Sequence, residues 1–191
     1  LHGEPTDKIP FTIYESKIPQ CPAERQLRND GLCIVERGVA AVTTERPNVR
    51  VEVRRYTEAG IDLVRTDYHT PVGDLFEVSR PADFTSWNVT RLFKTPADYR
   101  PLRFLVQDEV YRPHYEEFAR AERAKGEDVI LRAGVVGTPL HTIMVHWMGL
   151  ETFATEWYER RDEVLALYQA MVEKKRELYP LVAQSPATHA N

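Results

Sequence analysis

Residues 127 to 149, E-D-V-I-L-R-A-G-V-V-G-T-P-L-H-T-I-M-V-H-W-M-G, limit the possible folds more than any other stretch of the chain. Asp128 to Ala133 is a short apolar, β-favouring run, the pattern of a strand covered on both faces. Gly134 and Gly137 open a loop. Thr138 can cap a helix with its hydroxyl, and Pro139 suits the first helical position, where a missing N–H costs nothing. Leu140, Ile143, Met144, Trp147 and Met148 then recur at i, i+3, i+4, i+7 and i+8, one apolar face of an α-helix. Gly149 can end that helix in a left-handed turn. Strand, glycine loop and capped helix predict one βα unit.

A βα unit also suggests where a ligand would sit. In α/β proteins ligands bind beyond the carboxyl ends of strands, and the unpaired N–H groups of a helix start attract anions. Gly137, Thr138 and His141 therefore form a candidate cradle for an anion or carboxylate. The plain alternative is a strand-to-helix connection without a ligand, and the motif does not choose between them.

The 191 residues suffice for one domain with a real core. Hydrophobic residues at 42% and charged residues at 28% fit an ordinary soluble protein. A net charge of −4, with basic and acidic residues interspersed, gives no reason to expect nucleic acid. No apolar run approaches the ~20 residues of a membrane span, and the polar opening L-H-G-E-P-T-D-K is not a secretory signal. Cys21 and Cys33 are too few for a disulfide scaffold and read as structural thiols, so a cytoplasmic setting is expected. The start at Leu1 rather than Met and the polar close S-P-A-T-H-A-N read as a piece of a longer polypeptide.

In chain order, Ile9 to Tyr14 predicts a first buried strand, residues 23–30 a short helix ended by Gly31, and Leu32 to Val35 a second strand. Val49, Val51 and Val53 alternate with Arg50, Glu52 and Arg54, a half-exposed strand. Glu58-Ala59-Gly60 turns it back along residues 61–69. After a second turn at Thr70 to Gly73, Leu75 to Val78 adds a third strand, and residues 87–93 extend the same sheet. Residues 49–93 thus read as an antiparallel elaboration beside the βα framework. From Thr95 onward the chain is mainly helical. Thr95 to Asp98 is a helix start, with Tyr99, Leu102, Leu105 and Val106 as the stripe that follows. Residues 115–125 form a helix ended by Gly126, with Phe118, Ala119 and Ala121 inward. Residues 151–158 form another. A last helix runs from a cap at Asp162 to about Leu178, with Val164, Leu165, Tyr168, Met171, Val172 and Leu178 inward. Glu173-Lys174-Lys175-Arg176-Glu177 reads as a solvated face of mixed sign.

Three segments in order carry a family resemblance. G-E-P-T-D-K-I-P-F (Gly3 to Phe11), T-P-V-G-D-L (Thr70 to Leu75) and Gly134 to Gly149 together resemble the N-terminal half of the uroporphyrinogen decarboxylase superfamily. That superfamily includes methyltransferases working between corrinoid carriers and thiols. The resemblance implies an α/β fold, a partial TIM (β/α)8 barrel of about three strands, since a whole barrel needs ~250 residues. A partial barrel leaves a strand edge at Asp128 to Ala133 to be covered or paired. True decarboxylases follow their first strand with an arginine- and glycine-rich motif, where this chain has Y-E-S-K-I-P (Tyr14 to Pro19). They carry a tyrosine in the helix after the glycine loop, where this chain has Val145. Both departures favour the methyltransferase-like branch. Zinc and a corrinoid in the full-length enzyme are what that branch implies. Its His-x-Cys zinc motif is not found here, so no cofactor or metal is expected on this chain.

Tyr14, Glu15, Glu36 and Arg37 fall at predicted strand carboxyl ends, where barrel chemistry occurs; rim salt bridges are the alternative for each. His141 and His146, five apart, would lie about 140° apart on an α-helix and do not match the i, i+4 spacing of helical zinc ligands. The expected activity is transfer of a one-carbon or carboxyl-type group, methyltransferase-like in the first place. The alternatives are uroporphyrinogen decarboxylation and a non-catalytic barrel that binds. A small molecule or a corrinoid carrier protein is the expected partner, with a homodimer left open.

Overall fold

A computed structural model describes every residue except 1–6, 8, 10, 37, 84, 127, 128, 136 and 191. Strand β1 (Phe11–Tyr14) runs into a 3-10 turn (Glu15–Lys17), helix α1 (Pro22–Asn29), β2 (Leu32–Glu36) and β3 (Val42–Glu45). Four longer strands follow, β4 (Arg50–Glu58), β5 (Ile61–Thr70), β6 (Gly73–Ala82) and β7 (Thr85–Thr90). A 3-10 turn (Pro96–Asp98) leads into α2 (Tyr99–Gln107), β8 (Val110–Pro113), α3 (Tyr115–Lys125) and β9 (Val129–Leu131). α4 (Pro139–His141) continues as a π-helix (Thr142–Met148), before α5 (Leu150–Glu159) and α6 (Arg161–Ala183). The chain gathers into two compact units, each discontinuous in sequence. The first comprises Leu1–Thr43, Pro113–Val135 and Val182–Asn191; the second comprises Thr44–Arg112 and Val136–Leu181.

In the first unit, β1, β2 and β9 form a parallel sheet in that order. Phe11 to Tyr14 pair with Leu32 to Val35, and Ile34 to Glu36 pair with Val129 to Leu131. β2 takes the centre because its residues are apolar on both faces, Leu32 and Ile34 buried on one and Cys33 and Val35 partly buried on the other. α1 ends where Gly31, at φ 103°, adopts a conformation that costs glycine little. α3 contributes Phe118, fully buried. Beyond β9, Ala133 bridges Ala190 in parallel and donates its amide to the His189 carbonyl at 2.9 Å. That single bridge covers part of the edge expected to be exposed. The expected α/β class is therefore present, with three parallel strands side by side; the described residues form no closed barrel.

The second unit holds a four-stranded antiparallel meander, β4-β5-β6-β7. It is the elaboration read from residues 49–93, with strands longer than their apolar cores suggested. Ala59 and Gly60 turn β4 into β5 with positive φ angles of 50° and 78°, the geometry of a tight hairpin. Leu75 of β6 is buried with Leu92, Phe93, Met148 and the apolar faces of α2 and α6 in one core. The α2 stripe of Tyr99, Leu102, Leu105 and Val106 is buried as its spacing predicts. The Asp98 carboxylate caps the helix start by accepting from the amides of Lys94 and Thr95.

Five expectations need correction. β1 is shorter than read and not buried, since Ile9 lies outside it at 89% exposed and Phe11 is 43% exposed. α6 begins at Arg161, so Asp162 lies inside the helix and does not cap it. Residues 142–148 are a π-helix, not α, so Ile143 and Met148, five apart, are both buried while Leu140 is 45% exposed. A turn closed between i and i+5 stacks those positions, as an α turn does not. On α6 the buried stripe is Val164, Leu167, Met171 and Leu178, and Leu165 is 40% exposed, because the neighbours cover only one narrow stripe. Lys175, read as part of a solvated face, lies on that stripe and is 9% exposed.

Candidate functional site

Parallel strands bring all their carboxyl ends to one edge of a sheet. In the first unit that edge carries Tyr14 at the end of β1, Glu15 opening the turn after it, Glu36 at the end of β2 and Arg132 just past β9. A cleft of about 510 Å³ lies against these strands, lined by Tyr14, Lys17, Val35, Ile130, Arg132 and His189 among others.

Arg132 dominates the cleft. Its backbone N–H donates to the Glu36 carbonyl at 3.1 Å, which fixes where the side chain leaves the sheet. Its Nη1 donates to the Tyr14 hydroxyl at 3.3 Å, and its guanidinium lies 5.5 Å from the centre of the Tyr14 ring. Its Nε is buried and has no hydrogen-bond partner among the described residues; the same holds for Glu15 Oε2. An unpaired buried polar atom costs roughly 1–3 kcal/mol, more when charged. A guanidinium with an open donor beside a half-exposed tyrosine and Lys17 is chemistry suited to a carboxylate or phosphate.

The candidates from the sequence divide between the units. Tyr14 lines the cleft, and Glu15 sits beside it in sequence with one buried, unpaired oxygen. Glu36 is held by Lys125 of α3, Nζ to Oε2 at 2.7 Å, a tie between sheet and helix. Arg37 lies outside the described residues. Gly137, Thr138 and His141 belong to the second unit. There Pro139 takes the first helical position as expected and the Thr138 carbonyl accepts from the Thr142 amide at 3.0 Å, but no side-chain cap bond forms at Thr138. Only three residues are α-helical before the π-helix begins, and Pro139 has no N–H, so few amides align toward the expected cradle.

Arg132 and His189 were not singled out by the sequence. Arg132 falls inside the strand read over residues 128–133; because β9 ends at Leu131, it stands instead at the carboxyl end, as Tyr14 and Glu36 do. His189 comes from a polar tail with no pattern, and only the bridge beside Ala133 brings it to the cleft. The π-helix brings the His141 and His146 rings edge to face, centroids 5.1 Å apart. No group of three His, Cys, Asp or Glu among the described residues could hold a metal ion.

No family model, curated protein or solved structure matches the chain. Among the described residues, no helix is long and apolar enough to cross a membrane.

Proposed function

We propose that the cleft at the carboxyl ends of β1, β2 and β9 binds a carboxylate-bearing small molecule. On this reading the chain is the substrate-positioning portion of a barrel enzyme similar to the uroporphyrinogen decarboxylase superfamily, of the corrinoid–thiol methyltransferase type. What carries it is Arg132, whose buried Nε lacks a partner in a cleft that also holds Tyr14 and Lys17. Arg132 would take the carboxylate, and the Tyr14 hydroxyl, already bonded to the guanidinium, would orient it. This portion is assigned binding and orientation of the substrate. Three parallel strands paired side by side, β1-β2-β9, support the barrel component of the proposal.

A second reading is decarboxylation of uroporphyrinogen, favoured by one observation: Arg132 and Lys17 gather cationic charge in the cleft although no arginine-rich motif follows β1. One pair of assays separates the two. The full-length protein with zinc, a methylated corrinoid and a thiol should transfer the methyl group, and with uroporphyrinogen should release no carbon dioxide. Carbon dioxide release without methyl transfer selects the second reading, and neither product leaves a binding protein. Arg132→Met should raise KM about tenfold or more with a smaller change in kcat, as loss of a charged hydrogen bond worth about 1.5–3 kcal/mol requires.

A further inference from the structure

The second unit contains a cavity of about 340 Å³ that this reading leaves unused, at the lower end of the range for small-molecule pockets. Three cationic side chains line it, Arg46, Lys174 and Lys175, against one carboxylate, Glu109. That carboxylate is already engaged at both oxygens. Arg46 Nη2 bonds Oε1 at 2.5 Å, and the Tyr111 hydroxyl donates to Oε2 at 2.6 Å. Burial and the bond to Glu109 push the Tyr111 hydroxyl above its usual range, so it remains a donor. Lys174 reaches the Glu109 carbonyl and the Glu177 carboxylate, each at 3.0 Å, and so stands fixed at the rim. Lys175 sits on the buried stripe of α6, where burial lowers its pKa from the ordinary lysine value and the charge of Glu109 pulls it back up. Arg46, Lys174 and Lys175 against Glu109 and Glu177 leave a net positive charge at the cavity in a partly dry setting, where Coulomb attraction is stronger than in water. The lining also carries apolar surface from Val106, Trp147 and Met171.

We infer that this cavity is a binding site for a small organic anion, an acid group held by the Lys175 and Arg46 side while a flat apolar body packs on Trp147. It goes beyond the cleft proposal and stands on different residues. The probe is 2-naphthoate, read by tryptophan fluorescence in a chain carrying Trp87→Phe and Trp157→Phe, so that Trp147 alone reports. Saturable quenching is expected, with uncharged 2-naphthalenemethanol binding at least tenfold more weakly. Lys175→Met, which keeps the length of the side chain in its stripe, should weaken 2-naphthoate tenfold or more with an unchanged far-UV spectrum. Should that variant fail to fold, Lys174→Met at the rim should still weaken the anion at least threefold. Arg132→Met should leave 2-naphthoate binding unchanged, which separates this site from the cleft. No response to millimolar 2-naphthoate, or equal affinity for the alcohol, overturns the inference.

Discussion

Glu156 is 5% exposed, and both of its carboxylate oxygens are taken, Oε2 by the Tyr99 hydroxyl at 3.0 Å and Oε1 by Arg160 at 2.8 Å. Burial first, then the bond to Glu156, pushes the Tyr99 hydroxyl above its usual range. Tyr99→Phe removes one donor and strands a buried charged oxygen, so it should cost about 1–3 kcal/mol in urea denaturation. Asp67 shows a different balance. The hydrogen bond from Arg65, helped by Arg54 and opposed by desolvation, lowers its carboxyl from 3.8 to about 2. A depressed carboxyl stabilises the fold fully above the unfolded value and loses that contribution as pH falls from 3.8 through about 2. The urea midpoint should therefore drop between pH 5 and pH 2.5, and Asp67→Asn should flatten that part of the profile. An equal drop in the variant would assign the loss to other carboxylates.

The π-helix is the element that departs most from its sequence pattern. Its carbonyls at Val145 and His146 accept from the Arg91 guanidinium, and the Trp147 carbonyl accepts from the Phe93 amide at 3.0 Å. Those long-range donors satisfy backbone groups that the wider turn leaves at its end. Arg91→Met should destabilise the second unit by about 1.5–3 kcal/mol and loosen the His141–His146 contact, seen as a change in imidazole proton shifts. Gly149 closes the same element at φ 84° and ψ 157°, a region open almost only to glycine. A Cβ there would lie 2.9 Å from Arg91 Nε. Gly149→Ala should thus cost about 1–3 kcal/mol for the backbone alone, measured by thermal melting against Gly134→Ala, whose Cβ would meet nothing within 4 Å and whose φ is not positive. Five-residue spacing between buried Ile143 and Met148 is the trace of the π turn in the sequence. It went unread because those positions also fit the i, i+3, i+4, i+7 and i+8 pattern starting at Leu140.

At the scale of the molecule, each compact unit is assembled from segments far apart in sequence. Residues 182–191 belong to the first unit, with Val182 buried and Ala190 bridged to Ala133. Deleting them should lower amide-exchange protection in β1, β2 and β9 while β5, β6 and the α2 core keep theirs. A uniform loss across both units would show that the two do not open separately. The same division separates the sequence candidates, with Tyr14, Glu15 and Glu36 in one unit and Gly137, Thr138 and His141 in the other.

Local order was legible wherever one residue's neighbours in sequence decide its state. The alternation of residues 49–54, the apolar runs of β1, β2 and β9, the Thr95 to Asp98 helix start and the terminators Gly31, Gly126 and Gly149 all depend on backbone geometry and periodicity within a turn or two. Burial of Lys175, the arrival of His189 beside Ala133, the gathering of Arg132 with Tyr14 and the choice of a π turn over an α turn were decided by tertiary structure. Each turns on which groups from distant segments supply a covering surface or a hydrogen bond, and those distances in space are not written in the local pattern.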